Sequence, residues 1–264
     1  MTGMPIWFEL MTPDPDAVRD FYRAVVGWDI GPAGMTAGSG QMDYRAIQRG
    51  DGGMAGGVLG LSRDMIDGGA KPGWLAYFHV DDVPTAVEKV EQLGGKTWMP
   101  TRTMDVGTMA MVADPQGAPF YLMDPIPPAD NPDAKSDVWD REKAQHCRWL
   151  ELETTDEPAA TAFYTAMFGW TAENTMPMGD KGVYRFVEHE GHTIGAINPW
   201  MPDGMSVSWL PYFGVADIDK AHEAAKNSGG TIRGEVHEVP GGDFIFMAND
   251  PAGAAVAFVG PKGE

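Results

Sequence analysis

One half of this chain repeats the other, and that constrains the fold more than any single motif. Phe21-Tyr22 followed by Gly27-Trp28 returns as Phe163-Tyr164 followed by Gly169-Trp170. Trp7-Phe8-Glu9-Leu10 returns as Trp149-Leu150-Glu151-Leu152, and Trp74-Leu75-Ala76-Tyr77-Phe78 as Trp209-Leu210-Pro211-Tyr212-Phe213. Gly94-Gly95 matches Gly229-Gly230, and Asp114-Pro115-Gln116-Gly117 matches Asp250-Pro251-Ala252-Gly253. Five blocks in unchanged order mark a duplicated domain. Each half of the 264 residues is long enough to bury a core of its own. Between the copies, Asp124-Pro125-Ile126-Pro127-Pro128-Ala129-Asp130-Asn131-Pro132 contains four prolines, which exclude a regular helix or a central strand. The expected organisation is module one over residues 1–125, a linker over 126–144 and module two over 145–264.

Local patterning is the same in both copies. Ile6 to Met11 alternates Trp7, Glu9 and Met11 with Phe8 and Leu10, a period of two that reads as a strand. Asp14 then caps a helix with Pro15 at its first position and Val18, Phe21, Tyr22 and Val25 on one face, ending at Gly27. In the second copy Asp156 caps, Ala160, Phe163, Tyr164 and Met167 line the face, and Gly169 terminates. A strand around Trp74 to Val80 leads into a helix capped near Asp82, with Val83, Val87 and Val90 on one face and Gly94-Gly95 at its close. Strands near 108–113 and 118–123 flank Asp114-Pro115-Gln116-Gly117, whose proline and glycine positions suit a tight turn. Tyr44 to Gln48 and Met54 to Leu61 read as a glycine-rich strand pair, with Val183 to Glu188 and His192 to Ile197 as counterparts.

Composition enters by exclusion. With 38 acidic and 19 basic side chains the formal net charge is -19, so nucleic acid is repelled and is not expected as a partner. No apolar run approaches the ~20 residues of a membrane helix. Glu9, Asp14, Asp16 and Asp20 interrupt the region where a secretory signal would be apolar, and the expected location is the cytoplasm. Cys147 is the one cysteine, which excludes an intrachain disulfide and a cysteine-based zinc cage; a half-buried strand position is its expected role. The glycines from Gly50 to Gly60 lack the Gly-Lys-Ser/Thr ending of a phosphate loop, and the eighteen methionines read as core filler.

A leading strand, a helix with Phe-Tyr near its middle, an aromatic-Val-Asp-Asp helix start and a closing Asp-Pro-x-Gly hairpin, in order and twice, resemble the βαβββ unit of the vicinal oxygen chelate superfamily. That superfamily holds glyoxalases, bleomycin-resistance proteins and extradiol dioxygenases, and the chain is similar in particular to a two-module glyoxalase-like subgroup with a Trp-x-Glu-Leu start. The resemblance implies an α+β fold of two tandem βαβββ modules whose strands curl into half-barrel cups, with helices outside and ligand sites in the concavities. It also implies three metal-ligand positions per module. These fall on Trp7, Leu75 and Tyr121 in module one and on Trp149, Leu210 and Ala257 in module two. Divalent transition metals need imidazole, carboxylate or thiolate donors there, so no metal cofactor is expected. Of His79, His189, His192, His222 and His237, only His189 and His192 share a short spacing, across a Glu-Gly turn expected to be an exposed hairpin.

Period two places Trp7, Glu9 and Met11 on the cup side, with Leu75, Tyr77 and His79 on the next strand and Tyr121 and Met123 on the last. This apolar, aromatic lining with one carboxylate, one imidazole and two phenols suits a small, partly aromatic or oxygenated ligand. Glu9 and His79 read as an acid and base pair, or as a bridging carboxylate and a satisfied interior histidine, and Tyr121 as a hydrogen-bond donor to the ligand. Trp7, Tyr77, Met123, Trp149, Glu151 and Tyr212 are the expected ligand-binding residues. Module two carries Gly214 in place of His79 and Ala257 in place of Tyr121, which favours module one as the active cup. Three functions remain open: metal-free binding with acid-base chemistry, non-catalytic sequestration of a toxic or antibiotic compound, and a metal-dependent lyase or dioxygenase with displaced ligands. A monomer or a homodimer is expected.

Overall fold

A computed structural model of the chain describes residues 2–32, 42–201 and 206–263. The first repeat runs β1 (Pro5–Thr12), α1 (Pro15–Val25), β2 (Asp29–Ile30), β3 (Tyr44–Gln48) and β4 (Met54–Gly60). A short α2 (Arg63–Asp67) follows, then β5 (Gly73–His79), α3 (Val83–Gln92), β6 (Lys96–Met104), β7 (Gly107–Ala113) and β8 (Pro119–Pro125). The second repeat runs β9 (Cys147–Glu153), α4 (Glu157–Phe168), β10 (Thr175–Pro177), β11 (Val183–His189) and β12 (His192–Asn198). It closes with β13 (Ser208–Gly214), α5 (Ile218–Asn227), β14 (Thr231–Glu238), β15 (Phe244–Asn249) and β16 (Ala255–Gly260). The α+β architecture read from the repeat is present, and each module contains the βαβββ run twice. The strand orders are β2-β3-β4-β1-β5-β8-β7-β6 and β10-β11-β12-β9-β13-β16-β15-β14, each an eight-stranded sheet.

The capping residues do what their chemistry dictates. Asp14 and Asp156 accept hydrogen bonds from the backbone of Ala17 and Ala159, and Asp82 from that of Thr85, satisfying amides that have no partner inside the helix. Gly169 ends α4 in the left-handed conformation at φ 70°, where a side chain would be strained. Of the strands that sequence patterning did not pick out, β6 and β14 lie at sheet edges and are largely exposed. Their registers slip around Pro100 and Gly234, so neither alternates cleanly. Cys147 opens β9 buried rather than half-buried.

Packing does not follow the repeats. One compact unit comprises Met1–Ile6, Leu75–Ser136 and Trp149–Leu210; the other comprises Trp7–Trp74, Asp137–Arg148 and Pro211–Glu264. Each unit therefore joins the first half of one repeat to the second half of the other. The same aromatic core recurs inside each. In the first, Phe78 contacts Phe168, Trp170 and Trp209, and Tyr164 packs on Trp170 and Trp209. In the second, Phe213 contacts Phe8, Trp28 and Trp74, and Tyr22 packs on Trp28 and Trp74. Burying each such ring contributes roughly 1.5–3 kcal/mol.

A polar lock sits at the centre of each core. The Tyr22 hydroxyl accepts from Trp74 Nε1 at 2.8 Å and donates to Asp250 Oδ2 at 3.2 Å. Its counterpart, Tyr164, accepts from Trp209 Nε1 at 3.0 Å and donates to Asp114 Oδ2 at 3.1 Å. Asp250 and Asp114 spend their other oxygen on backbone amides of their own Asp-Pro-x-Gly turns, at Ala252 and Ala254 and at Gln116 and Ala118. Burial pushes both tyrosines well above their ordinary pKa, raises Asp114, and lifts Asp250 to about 6. The repeated Phe-Tyr, Trp-Leu and Asp-Pro-x-Gly blocks are thus the three parts of one lock, with the turn contributed by the opposite repeat.

Candidate functional site

In the second unit, β1 pairs in parallel with β4, setting Glu9 opposite Gly57 and Met11 opposite Leu59. Antiparallel β3 then sets Ala46 opposite Gly57 and Tyr44 opposite Leu59. Trp7, Glu9, Met11, Tyr44, Ala46, Gly57 and Leu59 therefore share one sheet face, while Phe8 on the other enters the aromatic core. Trp7 Nε1 donates to the Tyr44 hydroxyl at 2.9 Å. Glu9 is buried at 4% exposure, whereas Trp7, Tyr44 and Ala46 are half-buried.

The same half of module two sits in the first unit. There β9 pairs with β12, setting Glu151 opposite Ala196 and Glu153 opposite Asn198, and β11 sets Phe186 opposite Ala196. Trp149 Nε1 donates to the Tyr184 hydroxyl at 3.0 Å, and that hydroxyl donates to Glu151 Oε2. Asn198 Nδ2 donates to the other Glu151 oxygen at 3.3 Å. The Phe186 ring lies 6.1 Å from Trp149 and 5.4 Å from Tyr184. Burial, followed by the nearby Glu151 charge, pushes the Tyr184 phenol well above its usual range, so it serves as a donor and stays protonated.

The residue after each tyrosine anchors its strand from the other face. Arg45 binds Asp16 and Asp43, and Arg185 binds Glu157, so both arginines reach the first turn of a helix. Tyr44-Arg45 and Tyr184-Arg185 are a further matched block of the repeat. Tyr44 and Tyr184 were absent from the residues read from sequence, and this dipeptide, held at a shifted spacing between the stronger blocks, is the signal that would have found them.

The remaining expected residues distribute as follows. In the first unit β5 pairs in parallel with β8, setting Tyr77 opposite Tyr121 and His79 opposite Met123. The Tyr77 and Tyr121 rings stack at 4.1 Å and 15°. Tyr212, in the second unit, lies opposite Ala257. His79 Nε2 is 3.9 Å from Asp81, and no hydrogen bond to its Nδ1 occurs among the described residues. Glu9 and His79 belong to different units. His189 is not exposed as expected: only His192 is, while the His189 side chain is 10% exposed and burial lowers its pKa.

The donor chemistry at the six positions that the resemblance assigns to a metal does not suit one. Trp7 and Trp149 use their only polar atom as a hydrogen-bond donor to a tyrosine, Leu75, Leu210 and Ala257 have none to offer, and the one remaining oxygen, the Tyr121 phenol, has no second donor among the other two positions of its module. Among the described residues no group of three or more His, Cys, Asp and Glu side chains is arranged to hold an ion.

The duplicated mixed sheet, with half-buried aromatic and buried carboxylate side chains on one face, is that of a glyoxalase-like protein. The family described as "Glyoxalase/Bleomycin resistance protein/Dioxygenase superfamily" matches residues 145–258, and a glyoxalase-like domain family matches residues 7–123. The chain belongs to that superfamily. It is 30% identical to the anthracycline biosynthesis protein DnrV of Streptomyces peucetius over 97% of this chain and 93% of that one. In fold it is similar to the Mn(II)-bound glyoxalase from Novosphingobium aromaticivorans, with TM-score 0.66, 15% identity and coverage of 100% of this chain and 83% of that one. It is also similar to the dioxygenase LapB from Pseudomonas sp. KL28, with TM-score 0.63, 14% identity and coverage of 100% and 94%. Among the described residues no helix is long and apolar enough to cross a membrane.

Proposed function

We propose that this protein binds a small, oxygenated aromatic molecule without the help of a metal ion. The observation that carries the reading is the Trp-to-Tyr hydrogen bond beside a buried glutamate on one sheet face, built once in the first half of each repeat. Half-buried indole and phenol rings offer flat apolar area with polar edges, the lining expected for an aromatic ligand carrying hydroxyl or keto groups. Full-length similarity to an anthracycline biosynthesis protein supports a planar, oxygenated ligand class.

On the Trp7 face Glu9 is the acid-base residue of this reading; in the other unit His79 is a separate acid-base candidate, with Tyr121 as its donor to ligand oxygen. The test is binding and product analysis with hydroxylated naphthalenes and anthraquinones, on protein purified without chelator. Glu9→Gln and His79→Ala should each weaken binding or turnover at least tenfold. Unchanged binding and turnover in both overturns the acid-base assignment. Stoichiometric binding with no product identifies sequestration, and a full equivalent of bound transition metal overturns the metal-free reading.

A further inference from the structure

We infer that the segment from Asp137 to His146 is a latch: it closes on the turn between β3 and β4 and keeps those two strands ordered only while it is shut. Two turns that the repeat makes equivalent show why one of them needs it. In module two, β11 and β12 are joined by Glu190 and Gly191 alone, both at positive φ, a geometry that closes a hairpin without outside help. In module one the turn between β3 and β4 runs from Arg49 to Gly53 and holds three glycines. Glycine leaves an unsupported turn many alternative conformations, so fixing this one takes bonds from elsewhere.

The latch supplies them at both its ends. Gln145 Oε1 accepts from the Gly50 amide at 2.7 Å, while its Nε2 donates to the carbonyls of Val26 and Gly27, just past α1, at 3.1 and 3.0 Å. Asp137 takes the Arg49 guanidinium at 2.5 Å; that side chain is 1% exposed and also binds Asp51 and the Met54 carbonyl. Gly53 makes room for it, since a Cβ there would stand 1.9 Å from Arg49 Nη2. A buried guanidinium needs its carboxylates, so release of Asp137 unsettles the turn around Arg49.

The backbone of Gln145 shows that the closed state is held against strain. Gln145 N donates to Gly214 O and Trp28 Nε1 to Gln145 O, as Gly3 N donates to His79 O and Trp170 Nε1 to Gly3 O. Gln145 is therefore the repeat's counterpart of Gly3, and both are left-handed, at φ 66° and 96°. Glycine adopts that conformation freely and glutamine does not. A side chain kept there at a cost has to be offset by what it holds, and this one holds Gly50 to the end of α1. The stored strain makes the latch releasable.

Hydrogen exchange of the full chain, read amide by amide with no ligand added, tests this. Gln145→Asn keeps a residue that tolerates the left-handed conformation but is too short to span α1 and Gly50. Asp137→Asn removes the charge that holds Arg49. Each should speed exchange at least tenfold through β3 and β4, in amides that make no bond to the latch, while β11 and β12 stay as in wild type. Exchange in β3 and β4 within twofold of wild type in both variants overturns the latch. So does acceleration confined to Gly50, or equal acceleration in β11 and β12. Should Gln145→Asn fail to fold, Asp137→Asn decides by the same readings.

Discussion

The first halves of the two repeats share a backbone and differ in what they place on it. In module two, Glu151 has both oxygens engaged, by Tyr184 and Asn198, and Phe186 fills the space over Trp149. In module one Tyr44 holds the place of Tyr184, while Leu59, Ala46 and Gly57 stand where module two has Asn198, Phe186 and Ala196. The locks formed by Tyr22 with Asp250 and by Tyr164 with Asp114 are, by contrast, built alike to within 0.2 Å in every hydrogen bond. Duplication has kept the residues that hold each unit together and changed those on the open face. A face that only held the sheet together would have had little reason to exchange a ring for a methyl group and a buried amide for an isobutyl group in concert.

The largest expected effect tests whether the module-two network is structural. Glu151→Ala leaves the Tyr184 hydroxyl and the Asn198 amide without their acceptor in a buried setting, which should cost about 3 kcal/mol in urea unfolding. A loss below about 1 kcal/mol would show that the network is not what holds this half, and the contrast with module one would lapse.

The kept locks have a pH signature of intermediate size. The folded pKa of Asp250 is raised by burial from 3.8 to about 6. Its contribution is therefore full below pH 3.8 and is lost as pH rises through about 6, a change on the order of 3 kcal/mol. Unfolding free energies of wild type and Asp250→Asn should differ by a term that changes with this sign over that window, and Asp114→Asn should show the same sign in the other unit. A difference independent of pH would mean that the carboxylate is well solvated.

The smallest effect refines the comparison between the open faces. Gly57→Ala gives module one the residue that module two has at Ala196, and its methyl group meets the Tyr44 hydroxyl. Displacing that hydroxyl from Trp7 should cost about 1 kcal/mol and change the fluorescence of the Trp7 indole. A structure of the variant with the Trp7 to Tyr44 bond intact would show that the glycine is not needed for it.

Much of the local structure was legible in the sequence. Asp14, Asp82 and Asp156 cap the helices they precede, and the alternation at Trp7 to Met11 sorts one face from the other as expected. The edge strands β6 and β14 were not, because exposure removes the apolar signal and bulges break the period. That Trp7 shares a sheet face with Glu9, and Trp149 with Glu151, was legible by period. Tyr44, Tyr184 and Asn198 were not, since their importance comes from neighbours on other strands.

By itself, the sequence determined that the chain is a duplication, where the helices of its repeated blocks start, and which side of its inner strands is apolar. These are local properties, written in capping chemistry and in periods of two and 3.6 residues. Only the tertiary structure decided that Tyr22 meets Asp250 rather than Asp114, and Tyr164 meets Asp114 rather than Asp250. The two turns are chemically equivalent partners, so no local pattern can choose between them; the choice belongs to the burial of whole half-modules against each other, which only the folded chain expresses.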